Sequence, residues 1–500
     1  MDKMKEETRL LLAFLISMFI ILIFSKFHSS KYSKYIKNSQ ETKEISSIQH
    51  FSEKIILEGE EIEFENKEYL LKIDKDYGYI KEIGLKKFLR NGEKYFKLNE
   101  GAIIFPETRN IKKGSIKTEI KNNEIYIDGE FNGLNFLKKY KIPESGYIFE
   151  YEEKIVNKTG KDISNFNIEI MLIDMEIVKK QKDYIPQKII TGINRMPISI
   201  DPFRLKEEKI YKSCEWLGFY SKYSLVFLFL PQNTTLSIKN DGRFIVVNII
   251  FDDLILKKEE SKTLNFKFYA GPSDYFIVKN YVKENIFSKG FFVSIGRVIF
   301  IVLNLIHKII PNWGWSIVIL TFIIKILFFP LTRKSLYSMK QIQKLKPYLQ
   351  DIQKKYKNNP YQLQKEIMNI YKEYNINPFA GCLPTIIQIP IFIGFFLALR
   401  NSIFLRGAPF VLWIKDLSMP DTILKINGFP LNILPILMTI TSYFQQKSTP
   451  SQDQTQKMLS ITMPLMFLLI LYNFSSGLLL YWVTMNIASL IEQFVVSKKI

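Results

Sequence analysis

The stretch that most constrains this chain is Trp313 to Phe329, WGWSIVILTFIIKILFF, followed by Pro330. Only Ser316, Thr321 and Lys325 interrupt its apolar character. A helix of about 20 mainly apolar residues crosses a bilayer, so this run is just long enough. It predicts a transmembrane helix closed by Pro330, because proline lacks the N–H and crowds the preceding turn. Trp313 and Trp315 sit at one end, where aromatic rings favour the headgroup layer. Lys325 lies inside, at a cost of about 3 kcal/mol on insertion scales. Thr321 is one helical turn away and shares its face, so that face looks into protein or water. Two readings of Lys325 stand at this point. It snorkels to the nearer surface from about 6 Å off the midpoint, or it has a function.

Five hundred residues are too many for one ordinary domain. The mean hydropathy of +0.01 averages a polar, Lys-rich first half and an apolar second half. A net charge of +20 suits an anionic membrane surface, the ribosome or nucleic acid, although a Lys/Asn/Ile bias along the whole chain contributes. Cys214 and Cys382 stand far apart, and His28, His50 and His307 form no cluster. No disulfide framework, metal site or cofactor is expected.

Leu10 to Phe24 is apolar apart from Ser17, and no small-residue cleavage site follows closely. Residues 1–28 are expected to hold an uncleaved first transmembrane helix, with a cleaved signal peptide as the alternative. Residues 29–53 read as a polar linker. From 54 to 273 the pattern is β. Phe149, Tyr151 and Ile155 alternate with Glu150, Glu152 and Lys154, and Phe166, Ile168, Ile170 and Leu172 alternate with Asn167, Glu169 and Met171. Turn signals Asn91-Gly92, Asn132-Gly133 and Asp241-Gly242 punctuate it. A large antiparallel all-β sandwich is expected. Leu225–Leu230 is too short to span a membrane and reads as a buried strand. Residues 274–310 carry apolar residues at helical spacing, from Phe291 to Ile306, and predict an amphipathic interfacial helix. A further transmembrane helix over 290–306 is the alternative.

Residues 311–496 read as a five-helix membrane core. Within it, 331–383 is a basic helical hairpin carrying Arg333, Lys334, Lys340, Lys344, Lys346, Lys354, Lys355 and Lys357. Pro360 is suited to the first position of its second helix. Four spans follow: 384–399, 431–444, 458–472 and 477–496. Placing the basic hairpin inside obeys the positive-inside rule. The β domain then lies outside, and six spans leave both termini in the cytoplasm.

The spans hold few ionisable groups: Lys325, and Glu492 near the last helix's cytoplasmic end. Mid-membrane carboxylates of a proton-coupled transporter are not evident, and no acid stands mid-span as a partner for Lys325. Ser/His pairs, paired aspartates and zinc motifs of intramembrane proteases are missing, so no catalytic residue and no enzyme are expected. Thr321, Lys325, Gln388, Thr484 and Asn486, with Tyr481 and Trp482, are left as polar groups that wet a groove. Ordinary interhelical hydrogen bonding is the plainer reading of each Thr or Asn.

Four strings in order, NWGWSIVILTFIIKILFFPLT, NPFAGCLPTIIQIPIF, APFVLWIKDLS and FSSGLLLYWVTMN, resemble the YidC-type membrane protein insertases. The resemblance covers about 270–496. The N-terminal span and β domain resemble the Gram-negative form, whose periplasmic domain is a β-supersandwich. It implies an insertase and folding chaperone of the bacterial inner membrane, working alone or beside the Sec translocon. Its partners would be nascent membrane proteins, the lipid bilayer and the ribosome, with no specific nucleic acid. Five core helices would enclose a hydrophilic groove. Its positive residue, Lys325 here where most members carry Arg, would attract acidic or polar substrate segments. Thr321 matches a groove-lining position, Gln388 falls in the third core helix, and Tyr481-Trp482 match an aromatic substrate-contact region. The basic hairpin would be a mobile cytoplasmic region. Many members add a basic tail that binds ribosomes; the sequence ends at Ile500, so tail-dependent docking is not expected. A solute transporter with an external binding sandwich is the second function, and predicts an internal repeat and a charged partner for Lys325.

Overall fold

In the computed structural model the described residues are 60–498, apart from 76–77, 100–101, 106–115, 132, 164–166, 181–187, 194–195, 251–254, 284–285, 288–289, 358, 375–382, 401 and 449–453. The expected first span and linker lie outside them, as does the end of the hairpin at 375–382.

Alternating apolar and polar residues build the first half into a 16-stranded sheet. Its main path runs from Glu61–Glu65 to Ile116–Lys121, with Met196–Ile200 and Phe96–Lys97 as side edges, and the described neighbouring strands pair antiparallel. Ser224–Asp241, an 18-residue strand, organises it. Its first part pairs with Ser261–Pro272, its second with Phe244–Ile250, and Lys209–Tyr220 runs along its other edge. The register along that edge slips on both sides of Cys214. Such bulges bend and twist a strand, which lets one strand change partners. Leu225 to Leu228 are fully buried, as their unbroken apolar run requires. Trp216 stacks on Phe227 at 5.1 Å, and Phe105 on Tyr151 at 3.7 Å, within one contiguous core.

The strand Ile148–Asn157 keeps the expected alternation, with Phe149, Tyr151 and Ile155 inside. Asn167–Asp174 does not: Ile170, Met171, Leu172 and Ile173 are all buried. A bulge falls between Glu169 and Met171. Beyond it the strand is covered on both faces, Leu172 joining Tyr79, Phe244 and Val246 in a separate small cluster. Short helix α1 (Met175–Lys180) follows directly.

After the sheet come α2 (Tyr275–Val278) and α3 (Phe291–Ile309). α4 (Trp313–Lys344) has 32 residues and runs through Pro330, so proline does not close it as expected. Proline removes only the bond its N–H would give to the carbonyl four residues back, a gap that apolar helices tolerate within a packed bundle. α5 (Lys346–Lys355) and α6 (Pro360–Glu373) form the hairpin, with Ile342, Leu345, Leu349 and Tyr371 as its own small core. Pro360 opens α6 as expected, and the Asn359 side chain caps it by accepting from the Gln362 N–H at 3.1 Å.

α7 (Leu383–Arg400), α8 (Leu434–Lys447), α9 (Gln454–Leu471) and α10 (Ser476–Lys498) complete the chain. α8 starts later than its apolar run because Phe429–Asn432 pairs as a strand with Thr422–Ile426. Among the described residues, α3, α4 and α10 are long and apolar enough to cross a membrane by length and composition. The length of α3 therefore does not separate an interfacial from a spanning helix.

Polar bonds join the two halves. Ile403 is fully buried in the core of the sheet, while Phe404 packs against both cores. Arg406 holds Glu93 through two bonds of 2.7 and 2.9 Å and also donates to the Phe88 carbonyl. Arg90 donates to Asp416 at 2.9 Å. Gly407 has φ +70°, and a Cβ there would meet the Leu89 carbonyl oxygen at 2.3 Å, so only glycine fits this approach. Burial would raise the Glu93 carboxyl, but bonds from Arg406 and the Arg90 N–H bring it below the usual range. Asp274, capping α2, is pushed up to about 6 by burial, against the backbone N–H groups of Phe276, Ile277 and Ile403 that hold it down.

Candidate functional site

Lys325 projects from α4 toward α10. Its ammonium donates to the Ser489 hydroxyl at 2.7 Å and to Glu492 Oε2 at 3.1 Å. The two charged side chains are 12% and 9% exposed, so neither snorkels to open water. Ser489 and Glu492 are three residues apart on α10 and share a helical face. The Ser489 hydroxyl donates to the Met485 carbonyl at 2.9 Å, which turns its lone pairs toward Lys325. The expectation that no acid partners Lys325 is therefore corrected. Glu492 was legible as a residue of the last span; what the sequence hid is that α4 and α10 pack side by side at matching depth.

A serine beside a lysine is also the layout of a Ser–Lys nucleophile pair. Here the same ammonium also donates to Glu492, so the serine and the carboxylate share one lysine. Among the described residues no group of three or more His, Cys, Asp or Glu is placed to hold a metal.

The other candidate residues divide. Thr321 is fully buried, and its hydroxyl donates to the Ile317 carbonyl of its own helix at 2.7 Å. Thr484 does the same with Leu480 at 2.7 Å. Asn486 ties α10 to α8 through Ser442 at 2.8 Å and Thr441 at 3.1 Å, the plainer reading foreseen for it. Tyr481, 1% exposed, stacks on Phe395 of α7 at 4.1 Å. Trp482 is half-buried against Phe392 at 4.9 Å and Phe467 at 5.1 Å. Gln388 is half-buried on α7. Among the described residues no hydrogen bond links Thr321, Gln388, Tyr481 or Trp482 to Lys325. The structure thus groups Lys325 with Ser489 and Glu492, and groups Tyr481 and Trp482 with the α7 aromatics.

The hairpin cations line the outside of its helices. Arg333, Lys334, Lys344, Lys354, Lys355 and Lys357 are exposed, while Lys340 reaches the Ser497 carbonyl at 3.2 Å. Lys346 is the first residue of α5.

The family model described as "60Kd inner membrane protein" matches residues 305–500, the part that holds this pair. "Membrane protein insertase YidC" of Endomicrobium trichonymphae is 40% identical over 302 residues, 57% of this chain and 56% of that protein. The protein of the same name from Francisella philomiragia subsp. philomiragia is 30% identical over 424 residues, 79% of this chain and 73% of that protein. The chain spans a little over half the length of the first relatives it matches, at 56%, 58% and 57%. A solved structure, "Active YidC insertase crystal structure with the first transmembrane domain resolved", aligns over 88% of this chain and 93% of that one. Its identity is 18% and its TM-score 0.40. The long match to the Francisella protein crosses both halves of the molecule, and with it the chain belongs to the YidC membrane protein insertase family.

Proposed function

We propose that this chain is a membrane protein insertase and chaperone. It takes hydrophobic nascent chains into a hydrophilic groove among its helices and releases them into the lipid bilayer, alone or beside the Sec translocon. The observation that carries the reading is the buried Lys325–Glu492 pair between α4 and α10. Charges within apolar helices are costly to keep and mark the path of a polar cargo. Apolar parts of a cargo would leave sideways into lipid, while its polar parts rest against Lys325, Ser489 and Glu492. Gln388 and Trp482, half-buried on α7 and α10, are the next contacts.

The protein would sit in the bacterial inner membrane, with the β domain in the periplasm and both termini in the cytoplasm. α3 would lie at the interface. The exposed hairpin cations would face the ribosome or anionic lipid, since one-sided charge suits an anionic partner. Solute transport is the second reading, favoured by one observation: Lys325 does have a charged partner.

The test is site-specific photo-crosslinking with ribosomes stalled on a short membrane protein. Probes at Gln388 and Trp482 are expected to capture the nascent helix. A probe at Ile326, 72% exposed on α4, serves as the lipid-facing comparison. Capture no stronger than at Ile326 would sink the groove reading and leave solute transport to be assayed.

A further inference from the structure

The groove's positive charge is not free. Lys325 has three N–H donors, and two of them go to Ser489 and Glu492. Glu492 spends only one carboxylate oxygen on the pair. Its Oε1 is buried with no hydrogen-bond partner among the described residues. Glu492 as a whole is 8% exposed, so this open acceptor faces protein rather than bulk water. The unit is therefore neutral overall and carries two open valences of opposite kind, an N–H donor on Lys325 and an acceptor on Glu492.

An approaching carboxylate meets both charges at once. It is attracted by Lys325 and repelled by Glu492, only 3.1 Å from the same ammonium. At that separation the two effects largely cancel beyond the first contact. A neutral polar segment meets no such repulsion, and its carbonyl or hydroxyl oxygen can accept from the remaining Lys325 N–H without displacing either partner. Specificity is a difference of affinities, and a resident charge of the same sign as one competitor is a common way to create it.

We infer that Glu492 is a specificity-determining residue of the groove: it neutralises Lys325, so that neutral polar segments are accepted on a par with acidic ones. The inference rests on the insertase reading. Ser489 positions the lysine, and Glu492 sets how much of its charge the cargo feels.

The experiment uses the full chain reconstituted in vesicles of phosphatidylethanolamine and phosphatidylglycerol. Two single-span reporters differ only in the translocated segment, one neutral and one with paired aspartates. The measured quantity is the ratio of protected acidic to protected neutral reporter. Glu492→Gln keeps the shape and removes the charge, and is expected to raise that ratio about fivefold, the factor of one modest charge–charge coupling. Lys325→Gln is expected to lower it. The exchange Lys325→Glu with Glu492→Lys restores a neutral pair and is expected to return the ratio toward the original.

If Glu492→Gln fails to fold, Glu492→Asp withdraws the charge by one methylene and is expected to raise the ratio about twofold. A ratio unmoved by Glu492→Gln, or by Glu492→Asp where that variant decides, overturns the inference. If the unaltered protein inserts neither reporter, it is the insertase reading that falls.

Discussion

The two halves of this molecule treat apolar surface in opposite ways. Among the described residues of the sheet, the large apolar side chains left exposed are scattered: Leu137, Ile177, Met196, Phe203, Ile210 and Ile255. The helical half exposes them along its long helices, Val298, Ile301 and Leu305 on α3, Ile323, Ile326 and Leu327 on α4, and Ile487, Ile491 and Phe494 on α10. Charges are handled differently too. The sheet pairs charges at its surface, as in Lys75–Glu60, worth at most about 1 kcal/mol, and buries a few, Asp74, Lys138, Glu153 and Asp174. Among the described residues of the helical half, Lys325 and Glu492 pair with side chains only 12% and 9% exposed. The sheet is built for water and the helices for lipid, and the same side chains carry different costs in the two solvents.

The largest expected effect lies in the water-facing half. Trp216→Ala removes a ring that is 2% exposed and stacked on Phe227, and is expected to destabilise the sheet by about 3–5 kcal/mol. Thermal unfolding of the full chain followed by tryptophan-independent far-UV signal checks it. A loss confined to the helical signal would break the comparison.

Next comes pH. The Asp274 carboxyl is raised in the folded state from an ordinary 3.8 to about 6. The folded state then binds this proton more tightly, so the stability contributed by Asp274 is fully present below about pH 4. That contribution is lost as pH rises toward 6 and is flat above, a change of about 3 kcal/mol at most. Asp274→Asn is expected to flatten this window. Melting curves between pH 4 and 7 that coincide for both proteins would show that the residue does not titrate there.

At the joint between the halves, Arg406→Ala removes two of the bonds to Glu93, which keeps the Arg90 N–H, and takes the guanidinium from the Phe88 carbonyl. Arg406 is 7% exposed but Glu93 31%, so the loss is put at about 2 kcal/mol, below that of a fully buried pair. It is expected to let sheet and helices melt separately. A single shared transition, unchanged, would mean the Ile403 and Phe404 packing alone couples them. The smallest effect is expected between helices. Asn486→Ala cuts the bonds to Ser442 and Thr441 for about 1 kcal/mol, read by unfolding in detergent.

Much of the fold was legible in the chain. The apolar runs marked α4, α7, α9 and α10, and the alternation of Phe149, Tyr151 and Ile155 marked a strand. Both signals come from which solvent a side chain meets, and periodicity records that directly. The failures share a cause. Pro330 was read as an end because a local rule was applied where neighbouring groups tolerate the missing bond. Asn167–Asp174 was read as half-buried because alternation cannot register a bulge or a second covering layer. In the candidate site, Lys325 stood out by its cost alone, whereas Ser489 and Glu492 did not, lying 164 and 167 residues away.

By itself the sequence determined the class of each half, since burying or exposing apolar side chains is decided residue by residue. It also determined that a charge sits within an apolar helix. Only the tertiary structure decided what that charge meets. Helix packing sets which residues of α4 and α10 lie at one depth, and that turned a lone lysine into a neutral, partly unsatisfied pair. Pairing of charges depends on distances of a few ångströms between segments far apart in the chain, and no local pattern encodes them.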